Sequence, residues 1–214
     1  GIMAIENSIA GSILPNLGIL HNSRLQVTGE YYLHIRQNLM ALPGVGLEGI
    51  EEEHSHPMAL LQCVDFLDTH RWRLVETEDT ALSARRIAEQ GIRNAAAIAG
   101  DLAAELFGLE IVAADIHSIR NNYTRFLVLR PDHQPIDERS DKASLCFKTD
   151  HRHGSLIRVL REMEDSTINM TKLQSSPIPS EPWHYMFHVD MEFACMDDYN
   201  RVIERMRSVT SELH

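Results

Sequence analysis

The sequence predicts an α/β protein built from two domains, and two observations predict it. Through residues 1–130 short apolar segments alternate with stretches of helical spacing, and residues 142–214 read strand, helix, strand, strand, helix. The polar stretch from Arg130 to Asp141 separates them. With Pro131 and Pro135 and no apolar periodicity, it reads as a linker over 131–141.

In order, Gly1 to Ile5 reads as the end of a strand, and Ile9 to Ile19 as a turn or a helix interrupted by Pro15. Leu25 to Leu33 and His34 to Met40 alternate as strands. From Pro57 to His70, Met58, Leu60, Leu61, Val64 and Leu67 recur at helical spacing, with Pro57 suited to a first turn. Arg73 to Thr77 is a strand, and Thr80 to Gln90 is a helix capped by Asp79 or Thr80 and closed by Gly91. Asn94 to Ala99 is a strand and Asp101 to Phe107 a helix closed by Gly108. Leu109 to Ala114 and Tyr123 to Leu129 are further strands. The second block gives a strand at Ala143 to Lys148, a helix at Gly154 to Asp165, strands at Ile168 to Ser175 and His184 to Glu192, and a helix at Asp197 to Leu213. A ferredoxin-like βαββαβ unit needs one more strand. With the first strand also entered midway, the sequence reads as a piece trimmed at both ends.

Composition limits the function classes. The 214 residues carry a formal charge of −11, from 31 acidic against 20 basic side chains. No lysine precedes Lys142. A phosphate-backbone binder needs clustered cations, so nucleic acid is excluded as a partner. Neither a long apolar run nor a signal-type segment is present, which leaves no membrane role, and three widely spaced cysteines fit a soluble, cytoplasmic protein.

Three segments of the first block together resemble prephenate dehydratase: Ile5-Glu-Asn-Ser-Ile-Ala-Gly11, His54-Ser-His-Pro-Met-Ala-Leu-Leu-Gln-Cys63 and Asn122-Tyr-Thr-Arg-Phe126. Glu78-Asp-Thr-Ala81 and Ala97-Ile-Ala-Gly-Asp-Leu-Ala-Ala104 lie in the expected places between them. The second block resembles the ACT regulatory domain, with Gly154-Ser-Leu156 where that family has Gly-Ala-Leu and Leu173-Gln-Ser-Ser-Pro177 where it has Ile-Glu-Ser-Arg-Pro. The resemblance implies a two-lobed catalytic domain over 1–130, like type II periplasmic binding proteins, with its first lobe incomplete. A ferredoxin-like ACT domain over 142–214 follows, lacking its last strand. The implied reaction turns prephenate into phenylpyruvate, carbon dioxide and water without metal or organic cofactor, in phenylalanine biosynthesis. L-Phenylalanine is implied as allosteric effector, and a homodimer or homotetramer as the assembly. Arogenate dehydration and a non-catalytic amino-acid sensor are the alternatives.

The resemblance makes Thr124 the proton donor to the departing hydroxyl, against the plain reading of a β-branched residue in a strand. Arg125 either contacts substrate or sits in a structural ion pair, because neighbouring strand residues face opposite ways. Phe126 is expected in the core. Asn7 and Ser8, after a strand, and Ser55 and Thr80, at strand-to-helix junctions, are placed either to cap helices or to bind substrate. Gln62 is either a substrate contact or a surface amide. Glu6 is expected to orient Asn7 or Arg125, and Gly11 to serve a turn. His54 with His56, and His151 with His153, lack the further ligands that a metal centre needs. In the second block Gly154, Ser155 and Leu156 are expected to meet the effector through a loop, and Gln174, Ser175, Ser176 and Pro177 through a strand. Gln174 for Glu and Ser176 for Arg remove two charges and predict weaker or differently tuned sensing.

Overall fold

The computed structural model describes residues 1–131, 135, 137–164 and 167–214. The strands are β1 (Ile2–Asn7), β2 (Gly11–Ser12), β3 (Gln26–His34), β4 (Asn38–Ala41), β5 (Glu52–Ser55), β6 (Arg73–Glu76), β7 (Ala95–Ala99), β8 (Glu110–Ala113), β9 (Tyr123–Arg130), β10 (Lys142–Lys148), β11 (Asn169–Pro177), β12 (Tyr185–Glu192) and β13 (Glu212–Leu213). The α-helices are α1 (Leu14–His21), α2 (Pro57–Gln62), α3 (Val64–Leu67), α4 (Thr80–Gln90), α5 (Asp101–Phe107), α6 (Ser155–Glu164) and α7 (Met196–Val209). The chain divides into two compact units, Leu33–Thr124 and a discontinuous one formed by Gly1–Tyr32 with Arg125–His214. Of the linker expected at 131–141, Asp132, His133, Gln134 and Ile136 lie outside the described residues, as do Asp165 and Ser166 after α6.

The unit Leu33–Thr124 is a five-stranded sheet in the order β6-β5-β7-β4-β8. β5 runs parallel to β6 and β7, and β4 antiparallel to β7 and β8. β7 is the central strand, five fully buried residues that are all alanine but for Ile98. Period two sends Ala96 and Ile98 to one face, where Ala59, Leu60, Cys63 and Leu67 of the α2–α3 segment pack. Ala95, Ala97 and Ala99 go to the other, against Ala84, Ile87, Ala103 and Ala104 of α4 and α5. Helices thus cover both faces, as parallel strands require. The chain moves from β5 outward to β6, then back across β5 to β7, so strand order reverses between β5 and β7. α2, α4 and α5 all begin at the carboxyl ends of these strands.

In the discontinuous unit, a sheet ordered β2-β1-β9-β3 buries Ile5, Leu127 and Leu129 with Leu17 of α1. A second sheet, ordered β11-β12-β10-β13, packs α6 and α7 over Leu145, Phe147, Val159, Val189, Met191, Val202 and Met206. Its elements run βαββαβ.

Most elements fall where expected, and the departures have physical causes. Pro15 stands in the first turn of α1, where its missing N–H costs nothing, so it starts the helix. The single helix expected over 57–70 breaks at Cys63, whose φ of −116° and ψ of 16° leave helical geometry. α7 stops at Val209, and Glu212–Leu213 pairs antiparallel with Phe147 and Lys148 on β10. This corrects the missing last strand: it is present as two residues. Among the described residues no helix is long and apolar enough to cross a membrane.

Phe147 is fully buried and stacks on Phe187 with ring centres 5.5 Å apart. Phe147→Ala is expected to cost about 3–5 kcal/mol of stability, read as a shift of the urea midpoint. A loss under about 1 kcal/mol would place Phe147 outside the core that holds this block together.

Candidate functional site

Ser55 and Thr80 stand at the carboxyl ends of the parallel strands of the unit Leu33–Thr124, and Gln62 one short helix further on. Ser55 ends β5 and is 0% exposed, its hydroxyl donating to the Ile98 carbonyl of β7 at 2.7 Å. It pins the two strands at the point where their order reverses. That use of the hydroxyl corrects the expectation that Ser55 caps the next helix. The cap is His56, whose Nδ1 accepts the Met58 N–H at 3.1 Å. Thr80 is the half-buried first residue of α4, behind Asp79, whose carboxylate accepts the Leu82 N–H at 2.9 Å. Gln62, the last residue of α2, is half-buried and held at both ends. Its side-chain oxygen accepts from Gln37 Nε2 at 3.2 Å and its carbonyl from Ser118 N–H at 2.7 Å. That excludes a loose surface amide.

Gln37 and His117 were not anticipated. Both are buried, and the Gln37 N–H approaches His117 Nδ1 at 3.4 Å. His34 stacks on Tyr123, the residue before Thr124, with ring centres 4.7 Å apart. The sequence signal that could have found Gln37 and Asn38 is a pair of amides opening an otherwise apolar strand. Nothing local marks His117. His54 Nε2 lies 3.0 Å from Glu52 Oε2, away from the capping role of His56. Among the described residues no three His, Cys, Asp or Glu side chains gather as metal ligands.

β9 alternates as a strand must. Arg125, Leu127 and Leu129 are buried on one face, while Thr124, Phe126 and Val128 are half-buried on the other. Phe126, expected in the core, belongs instead to the face of Thr124. Arg125 is 7% exposed and surrounded by carboxylates. Its Nε donates to Glu30 at 2.6 Å, its Nη1 to Asp190, and Glu6 lies 3.8 Å away. Burial opposes its charge, but the Asp190 and Glu30 carboxylates raise its pKa above the ordinary value. The structure therefore shows the ion-pair alternative for Arg125. Glu6 does reach Arg125, and it also pairs with Lys172 at 2.9 Å. Asn7 caps no helix: its side-chain oxygen accepts the N–H groups of Ile9 and Ala10 at 3.0 and 2.9 Å, closing the turn from β1 to β2. Ser8 is exposed in that turn, and Gly11 ends it at a φ of +81°, which a side chain would strain.

In the second block, Gly154 at φ +77° delivers the chain into α6, and Ser155 is buried with its hydroxyl accepting from Arg158 at 3.0 Å. Ser155 and Leu156 line a cavity of about 330 Å³ with His151, His153, Tyr185 and Phe187. Gln174, Ser175, Ser176 and Pro177 lie on β11 and do not line it. Gln174 folds back on the Ser175 carbonyl at 2.7 Å, and Ser176 meets His188 Nε2 at 3.0 Å. Within one chain the two expected halves of an effector pocket are thus separate.

Comparison with known proteins agrees with this geometry. A family model described as prephenate dehydratase matches residues 1–134. The bifunctional chorismate mutase/prephenate dehydratase of Neisseria gonorrhoeae is 39% identical over 196 residues, covering 89% of this chain and 53% of that protein. An Arabidopsis thaliana protein named arogenate dehydratase/prephenate dehydratase 2, chloroplastic, is 36% identical over 207 residues, covering 92% and 54%. The chain spans about half the length of these curated relatives. The crystal structure of a prephenate dehydratase in complex with L-Phe from Arthrobacter aurescens superposes with a TM-score of 0.87 at 26% identity, over 100% of this chain and 72% of that one.

One buried group next to Ser55's strand end sets a measurable property. Glu53 on β5 is 0% exposed, and burial, opposed only by the backbone N–H of Ile98, pushes its carboxyl up from 4.5 to about 8. Burial, then the Glu53 charge, pushes the Cys63 thiol up to about 12, so that thiol is inert at neutral pH. Between pH 4.5 and 8 the unfolded chain has released the Glu53 proton while the folded chain keeps it. Stability therefore falls as pH rises through that window, by about 1.4 kcal/mol per unit, and levels off above it. His188, lowered from 6.5 to about 4 by burial, then by His21 and Lys172, has the opposite slope below pH 6.5. Glu53→Gln is expected to flatten the decline between pH 6.5 and 8 in urea midpoints, and an unchanged slope would assign it elsewhere.

Proposed function

The chain belongs to the prephenate dehydratase family, and from that premise we propose that it serves the decarboxylating dehydration of prephenate to phenylpyruvate in the making of phenylalanine. The observation that carries this reading is the family match over residues 1–134, a stretch that contains Thr124, Gln62, Ser55 and Asn7 together. Residues 1–130 are the catalytic domain of this proposal, related to type II periplasmic binding proteins, and 142–214 its ACT domain.

In the reaction the bond from ring to carboxylate breaks to give carbon dioxide, its electron pair enters the ring, and the carbon–oxygen bond opposite breaks. The departing hydroxide needs one proton to leave as water. Aromatisation supplies the driving force, so the site has to deliver that proton and hold two carboxylates. Thr124 is the donor in this reading. A positioned acid contributes about 10²–10⁴-fold, and a Thr hydroxyl, weakly acidic in water, has to act in a concerted step. Gln62, fixed by Gln37, and Thr80, at the start of an 11-residue helix with its positive dipole end, are assigned to the substrate's anionic and hydroxyl groups. Asn7 and Ser8 are assigned to substrate binding on their own unit. No metal or organic cofactor enters.

L-Phenylalanine is the proposed effector of the ACT domain, a reading supported by the βαββαβ order, the cavity beside Gly154–Leu156 and the L-Phe named in the Arthrobacter structure's description. Because Gln174–Pro177 stand apart from that cavity, the effector site is proposed to draw on two copies of the chain, in a homodimer or homotetramer. Arogenate is the second candidate substrate, favoured by the Arabidopsis relative named for both activities.

The test is turnover of the intact protein with prephenate and with arogenate. Thr124→Ala is expected to lower the rate by about 10²–10⁴-fold with an unchanged thermal midpoint. Near-normal turnover would remove Thr124 from the chemistry, and a wild-type protein that turns over neither compound would leave the amino-acid sensor as the reading.

A further inference from the structure

Two residues of the candidate site are each followed or preceded in sequence by a residue that the C-terminal block holds. Arg125 follows Thr124 and pairs with Asp190 on β12; Glu6 precedes Asn7 and pairs with Lys172 on β11 at 2.9 Å. Asp190 and Lys172 are themselves cross-strand partners. Since Glu6 also lies 3.8 Å from Arg125, the four charges form a quartet of alternating sign, Asp190, Arg125, Glu6 and Lys172, whose two ends are in register on neighbouring strands. Three of its side chains are 8–10% exposed, and Glu6 is 33% exposed. Further contacts surround it. Glu30 takes the Arg125 Nε and Lys142, and Ser144 donates to the free oxygen of Asp190 at 2.6 Å.

The face of the sheet that carries the quartet also carries the proposed effector strand. Lys172, Gln174 and Ser176 alternate onto one side of β11, and His188 and Asp190 onto one side of β12. Ser176 contacts His188 at 3.0 Å, two residues from Asp190. A change at Gln174–Pro177 thus falls on the two paired strands that place Lys172 and Asp190 against Glu6 and Arg125. Buried ion pairs tolerate such a change poorly, because a displaced partner leaves an uncompensated charge.

We propose that Asp190 and Lys172 are positioning residues, which set the placement of Thr124 and Asn7 through Arg125 and Glu6 and so transmit effector occupancy of the C-terminal block to the catalytic motif. This deepens the function proposed above and rests on it. Neither residue touches substrate or effector in this scheme. The mechanism needs only two arrangements of the quartet with different energies in the effector-bound and effector-free states.

The experiment uses the full chain, with Asp190→Asn and Lys172→Met beside the wild type, so that a folding failure in one leaves the other. Phenylalanine binding is followed by calorimetry and its inhibition of prephenate turnover by initial rates. Binding within about threefold of wild type, with at least a tenfold rise in the phenylalanine concentration that halves the rate, is the expected split; a merely structural role would lower the thermal midpoint and leave inhibition in step with binding. Inhibition curves that superimpose on wild type, or a wild-type enzyme indifferent to phenylalanine, overturn the proposal. If the wild type has no turnover, the functional reading fails separately, and hydrogen exchange then decides. Phenylalanine has to change exchange at Ile2–Asn7 and Tyr123–Arg130 in the wild type and not in the variants, and unchanged exchange in the wild type overturns the coupling.

Discussion

A guanidinium that is almost wholly buried has to find its counter-charges inside the protein, and Arg125 finds them on three strands. Glu6 comes from β1, Glu30 from β3 and Asp190 from β12, the last two 95 and 65 residues away in sequence. Such a charge cannot be neutralised by losing its proton. The burial of β9 therefore depends on β1, β3 and β12 being in place together. This explains why the compact unit is discontinuous: the first 32 residues join Arg125–His214 because β9 pairs with β1 and β3 while its arginine reaches the C-terminal sheet. Buried ion pairs add little net stability over an apolar core of the same shape, but removing one partner is costly. What the quartet secures is register between elements far apart in sequence.

The same residue separates the roles of two neighbours. Period two along β9 sends Arg125 inward and Thr124 to the opposite face, so the motif Thr124-Arg125-Phe126 places its cation in ion pairs and its hydroxyl, the proposed proton donor, on the other side of the strand. In the other unit Ser55 repeats the pattern. Its hydroxyl ties β5 to β7, and Gln62, one helix further on, is left to act. The motif residues thus divide into members whose contacts hold the strands together and members assigned to the substrate in the proposed reaction.

Much of the fold was legible in the sequence because it was encoded locally. Asp79 before Thr80, Gly91 and Gly108 after their helices, and the alternation of Tyr123 to Leu129 each specify an element through neighbours a few residues away. β5 was not legible. Glu52-Glu53-His54-Ser55 has neither apolar alternation nor β-branched residues, and it becomes a strand because β6 and β7 pair with it on both sides. β13 is two residues long and exists only through its pairing with β10. For the site, residue types and their order were legible. The partners of Arg125, the bond from Ser55 to Ile98 and the support of Gln62 by Gln37 are contacts across 25 to 95 residues, which no spacing rule reads.

The charge pattern acquires a meaning that the total of −11 hides. Each of the three lysines lies beside a carboxylate: Lys142 at Glu30, Lys148 at Glu181 and Lys172 at Glu6. All three stand in the C-terminal block, and two of them anchor it to the strands of the first 32 residues. None is spare for an anion. The proposed effector's carboxylate is consequently left to backbone N–H groups at the start of α6, because Ser176 replaces the arginine expected on β11. Its ammonium is left to neutral acceptors, because Gln174 replaces a glutamate. A charged hydrogen bond is worth roughly twice a neutral one, so weak sensing follows if these contacts act alone. In the proposed scheme, affinity and response are carried by different residues: the contacts assigned to the effector are neutral, whereas the quartet assigned to carry its message is charged. In that scheme weak binding of the effector is compatible with a strong response.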